Sequence, residues 1–138
     1  MKRTITITGI IVLLLLLLTV SSSCTPDKIK TSLGEEFTLP LGKTAVVEAE
    51  NLTFEFVEVT ADSRCAKGVE CIWAGEAKCR MIITIKGIES EMTFTQPGGS
   101  VAEESFNQYK ISFILEPYPE AGKQIADSEY QLKMTVTK

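Results

Sequence analysis

The chain has 138 residues, with 18 Asp and Glu against 14 Lys and Arg, a net charge of −4 and no histidine. An acidic balance without basic runs argues against nucleic acid as a partner. The missing histidine rules out His-based triads, dyads and metal sites, so neither a cofactor nor a bound metal is expected.

The first element in chain order has the build of an export signal. Lys2 and Arg3 open it, an apolar run covers Ile10 to Leu18, and Ser21-Ser22-Ser23 leads into Cys24. A spanning helix needs roughly 20 apolar residues at about 1.5 Å each, and this run falls short even when extended to Val20. Residues 1–23 therefore read as a helical signal peptide that is removed. The segment resembles the signals of bacterial lipoproteins, which end in an apolar residue, two small ones and the cysteine that receives the lipid. Ser22 and Ser23 fill the small positions, whereas Ser21 stands where Leu is usual and Val20 lies one place early. The resemblance implies a diacylglyceryl thioether on Cys24 with an amide-linked acyl chain such as palmitate, which together make a permanent membrane anchor. It also implies the bacterial cell envelope as location. Thr25 differs from the Asp that marks inner-membrane retention in enteric lipoproteins, which favours the outer membrane where there are two. Soluble secretion with cleavage after Ser23 is the alternative.

Loss of residues 1–23 removes Lys2 and Arg3, so 12 basic residues face 18 acidic ones and the mature charge is −6. About 115 residues remain, enough for a single core. Thr25 to Ser32 is polar and without periodicity, so residues 24–34 read as a lipidated tether and residues 35–138 as the domain.

From Glu36 onward apolar residues alternate with a period of two, which predicts an all-β domain. Strands are expected over Phe37 to Leu41, Thr44 to Glu50 and Leu52 to Val59. In the third, Leu52, Phe54 and Phe56 share one parity and Val57 and Val59 the other, which places a bulge near Phe56. In Glu76 to Lys86, Ala77, Cys79, Met81, Ile83 and Ile85 form one apolar face. Lys86-Gly87-Ile88-Glu89 turns the chain into a strand over Ser90 to Gln96, and Pro97-Gly98-Gly99-Ser100 ends it. The alternations Tyr109, Ile111, Phe113, Leu115 and Tyr130, Leu132, Met134, Val136 mark the last two strands. About seven strands fit a small antiparallel, Ig-like β-sandwich, with a small β-barrel as the competing closure.

Two longer stretches, Thr60 to Gly75 and Pro97 to Gln108, read as loops, and only the first is chemically distinctive. It contains Cys65 and Cys71, which in an exported protein most simply close a disulfide. For a seven-residue ring, chain entropy gives about 2.4 kcal/mol. A zinc site is the alternative, but the spacing matches no common four-ligand pattern. Cys79 sits on the apolar face and reads as a small buried hydrophobe, with exchange of its thiol into a bridge to Cys71 as the competing arrangement. Trp73, the single tryptophan, either anchors a partner or covers the disulfide and plugs the core. The short cysteine loop needs something to pack on, which favours the cover. Asp62 and Arg64 either brace the loop as a pair or, with Trp73, face a partner.

The segment from Asp62 to Ala77, DSRCAKGVECIWAGEA, resembles one found in small exported bacterial proteins, many of them lipoprotein-like and without a characterised function. Their pattern runs Asp-Ser-Arg-Cys, often followed by Pro, then Cys-x-Trp-x-Gly and an alternating strand. This chain has Ala66 where Pro is frequent and Cys79 where an aliphatic residue is usual. Pro117-Tyr118-Pro119 and Asp127-Ser128-Glu129-Tyr130 fit the same family, and the resemblance implies the fold and the Cys65–Cys71 bridge, not an activity. Catalysis by carboxylates would need Glu103-Glu104 to meet Asp62 or Glu70 at a set separation; adjacent acids on a polar loop are usually solvated charge. The expected function is therefore non-catalytic: a lipid-anchored module that presents the Asp62 to Gly75 loop to an envelope protein or glycan. A structural envelope protein without a discrete ligand site is the alternative.

Overall fold

The computed structural model describes residues 27–138. The signal peptide expected at 1–23 and the acylation expected at Cys24 lie outside the described residues. Nine strands form two sheets: β1 (Ile29–Thr31), β2 (Glu36–Pro40), β3 (Thr44–Val47), β4 (Leu52–Asp62), β5 (Glu76–Ile85), β6 (Ile88–Pro97), β7 (Ala102–Phe106), β8 (Tyr109–Glu116) and β9 (Gln131–Thr137). One sheet has the order β1-β3-β4-β5-β6 and the other β2-β9-β8-β7. The sheets face each other and do not close into a barrel, so the all-β sandwich is the observed architecture. Its likeness to an immunoglobulin domain lies in the two packed sheets. In strand order, β3 to β6 is one meander and β7 to β9 another, with β2 added beside β9.

The alternation read from the sequence is what builds the core. Phe54 and Phe56 of β4, Met81 and Ile83 of β5, Ile111 and Leu115 of β8 and Leu132 of β9 are all sealed between the sheets. Phe94 of β6 and Phe113 of β8 meet across the gap with ring centroids 4.9 Å apart. Each such side chain contributes about 1.5–3 kcal/mol by leaving water. The hairpin at Lys86-Gly87 is a tight two-residue connection, since Ile85 pairs with Ile88. Both turn residues have positive φ, the twist that a short hairpin requires.

Two strands exceed the expected seven. Ile29–Thr31 pairs in parallel with Ala45–Val47, so the supposed tether to residue 34 enters the fold earlier. Pairing there uses main-chain groups and Ile29 and Leu33 pack on the core, which a polar composition concealed. Ala102–Phe106 lies inside the supposed second loop. It is an edge strand held on one side by β8, and only Ala102 is buried. An exposed edge tolerates Glu103-Glu104, so the charge pattern hid the strand.

One end of the sandwich gathers the β4–β5 loop, the β6–β7 connection and the long β8–β9 segment. The other end gathers the turns at Glu48–Glu50, Lys86-Gly87 and Asn107-Gln108. There the Tyr109 hydroxyl donates to Glu50 Oε2 at 2.6 Å and Lys138 Nζ to the same oxygen at 3.0 Å.

Candidate functional site

The site is built from the end of β4. Its ladder with β5 slips twice, between Phe56 and Glu58 and between Val59 and Ala61. The first slip is the bulge expected near Phe56. The second was invisible in the sequence. Each extra residue reverses the faces of the residues after it, so Val59 lies opposite buried Cys79 and Asp62 opposite buried Ala77. The second bulge thus turns Asp62 inward, under the end of the core.

Asp62 meets Arg64 there. Arg64 Nε donates to Asp62 Oδ1 at 2.8 Å and Nη2 to Oδ2 at 2.7 Å, a bidentate pair. The Tyr130 hydroxyl adds a third bond to Oδ2 at 3.1 Å. Arg64 is only 4% exposed, and it makes two further bonds to main-chain carbonyls. Nη1 donates to the Leu115 carbonyl at 2.6 Å and Nη2 to the Pro117 carbonyl at 3.0 Å. These carbonyls need partners because β7 pairs with β8 only as far as Phe113. Gln96 completes the repair by accepting the Leu115 N–H on Oε1 at 2.7 Å. Arg64 and Gln96 together stand in for a missing strand, since buried main-chain groups must be paired. Asp62 and Arg64 are therefore a brace inside the loop end, and the reading in which they face a partner is corrected.

Burial is the largest influence on Asp62 and opposes its ionisation, but bonds and charge from Arg64, with the Tyr130 hydroxyl, hold the carboxyl below its ordinary 3.8. Burial, aided by the Asp62 charge and the shared hydrogen bond, pushes Tyr130 up to about 12, so the phenol stays a donor. A carboxyl with a lowered folded pKa stabilises above its unfolded pKa and loses that contribution as pH falls through the folded one. Stability should accordingly drop on acidification below about pH 4. In Asp62→Asn the drop over that window should be shallower, as followed by denaturant midpoints at successive pH values.

Beyond the brace the loop continues as an irregular hairpin. Ser63 N–H donates to the Glu76 carbonyl at 2.8 Å and Cys65 N–H to Ala74 at 2.9 Å. Gly75 makes this closure possible. At φ +70°, a Cβ on it would stand 1.8 Å from the Ser63 carbonyl oxygen. The Cys65–Cys71 disulfide then closes the tip. Lys67 pairs with the β8–β9 segment, its N–H donating to Pro119 at 2.9 Å and its carbonyl accepting from Ala121 at 3.1 Å. Lys67 and Arg64 both lie over the Tyr118 ring, with Arg64 at 5.2 Å from the centroid. One limb of the loop is thus clamped, and the other projects.

The projecting limb carries the surprise. Trp73 is 82% exposed and Ile72 93% exposed. Trp73 neither covers the disulfide nor plugs the core, which corrects the expectation. The end of the core is instead occupied by buried Ala77 and Gln96 and by the Asp62–Arg64 pair. Ile72, to which the sequence pattern gave no prominence, belongs with Trp73; two large apolar residues on a cysteine-closed loop were the available signal.

Cys79 is the free cysteine among the described residues, and burial pushes its thiol up to about 12. It is opposite Val59 in the core and takes no part in the bridge. Glu103 is paired with Lys110 at 2.9 Å on the adjacent strand, and Asp62 is saturated by its donors. Among the described residues no group of three Cys, Asp or Glu side chains gathers as metal ligands would. Comparison with protein-family models, with curated proteins and with solved structures finds no match to this chain.

Proposed function

We propose that this chain is a lipid-anchored, non-catalytic protein of the bacterial envelope that presents the disulfide-held loop tip as its contact surface. The reading rests on the expected signal ending at Cys24 together with one structural observation: Ile72 and Trp73 stand in solvent on a loop whose base is fastened by Arg64 and Gly75 and whose tip is closed by the bridge. Exposed large apolar side chains on a rigid support suit contact with another surface, because little conformational freedom is lost on docking. Of the acidic groups on which catalysis would draw, Asp62 is held by Arg64 and Glu103 by Lys110. The membrane is reached through Cys24, and an envelope component is met by the tip.

A photoreactive residue in place of Ile72, in cells producing the full chain, tests this reading. Adducts with an envelope component in the membrane fraction are the expected result, and Cys24→Ser should release the protein from that fraction. Absence of any adduct, with the protein folded and anchored, would overturn the contact role.

A further inference from the structure

We infer that the surface met by this tip is the lipid headgroup layer of the anchoring membrane itself, into which Trp73, Ile72 and Val69 insert. The inference rests on the proposed acylation of Cys24.

Five large apolar residues are exposed among the described residues: Val69, Ile72, Trp73, Ile88 and Val101. Four of them share one end of the sandwich, since Val101 immediately precedes β7 at the end where β6 closes, while Ile88 lies in the opposite hairpin. Val69, Ile72 and Trp73 fall within five residues of one loop, and grouped apolar exposure marks an interaction surface.

The direction of the chain identifies the partner. β1 runs parallel to β3, and β3 runs antiparallel to β4, whose far end carries the loop. Traced backwards from Ile29, the chain therefore leaves β1 toward the loop end. Ile29 is level, through Ala45 and Phe54, with Ile83 of β5, and the loop base is at Ala77. Those six strand steps span about 20 Å. Cys24 is five residues before Ile29 and reaches at most about 18 Å from it. Even a fully extended tether leaves Cys24 short of the loop base, so an upright domain anchored through Cys24 meets the bilayer tip first. Trp is favoured at the headgroup level because an apolar ring and an N–H donor both find their medium there. Lys67 and Glu70 flank the tip with opposite signs, which suits a zwitterionic layer better than a charged one.

Trp73 is the only tryptophan, so intrinsic emission reports this contact without a label. The membrane-extracted mature protein is reconstituted into phosphatidylcholine vesicles, floated, and titrated with iodide. Floated protein should show blue-shifted emission and several-fold weaker iodide quenching than the Cys24→Ser protein in buffer. Ile72→Ser, at a position too exposed to endanger folding, should recover part of the quenching. Floated protein whose Trp73 is quenched as in buffer would overturn the insertion while leaving the anchor intact. Shielding that appears in native envelopes but not in these vesicles would also overturn it, in favour of a protein or glycan partner. Failure to float would instead overturn the anchor, and the inference with it.

Discussion

Arg64→Met is expected to destabilise the domain by about 3–5 kcal/mol, because removing one member of a buried, bonded ion pair strands the other. Asp62 would keep only the Tyr130 hydroxyl and the Arg64-position N–H as donors, and the Leu115 and Pro117 carbonyls would lose theirs. For a domain of this size the thermal midpoint should fall by about 10–20 °C, measured by circular dichroism. Asp62→Asn combined with Arg64→Met should recover part of the loss, since the stranded charge is then gone. A loss for Arg64→Met below about 1 kcal/mol, the range of surface pairs, would show that the pair is no brace.

Gly75→Ala should be the second severe change. Positive φ alone costs an alanine about 1–2 kcal/mol, and here the new Cβ also runs into the Ser63 carbonyl at 1.8 Å. That neighbour is main chain, pinned by the Ser63–Glu76 and Cys65–Ala74 bonds, and cannot swing aside. A total loss above about 3 kcal/mol is expected from the denaturant midpoint. Gly42→Ala supplies the comparison: its φ is +75° and a Cβ there meets nothing within 4 Å. It should cost only the backbone share, about 1–2 kcal/mol. Equal losses at the two positions would remove the steric account of the loop closure.

These two residues also show where sequence reasoning reaches and where it stops. β5, β8 and β9 were legible because one face of each is sealed, so parity alone exposes them. The Lys86-Gly87 hairpin was legible through its turn chemistry. The Cys65–Cys71 bridge followed from spacing and from the expectation of export. Asp62 and Arg64 were recognised as residues of interest, but their inward placement depends on the second bulge, at Thr60. No alternation signals it, since Thr60, Ala61 and Asp62 fit either face. The partners of Arg64 are carbonyls some 50 residues away, and a carbonyl leaves no trace in a sequence. Trp73 was misplaced for a related reason: whether an indole finds a pocket depends on what has already filled the end of the core, here Gln96 and the ion pair.

The fold and the proposed anchor assign separate duties to the four cysteines. Cys65 and Cys71 hold the tip and Cys79 fills core space, while Cys24 is the proposed lipid carrier. At a thiol pKa of about 12, Cys79 is almost wholly protonated at neutral pH and sealed from reagents as well.

The intact mass of the mature protein, taken with alkylation before and after unfolding and reduction, tests the central claim of a lipid-anchored domain with a disulfide-held tip. The predicted result is a chain beginning at Cys24 with added acyl mass, no alkylation in the native state, one site on unfolding without reductant, and two more after reduction. A chain beginning at Cys24 without lipid mass, or alkylation of Cys65 and Cys71 without reduction, would contradict it.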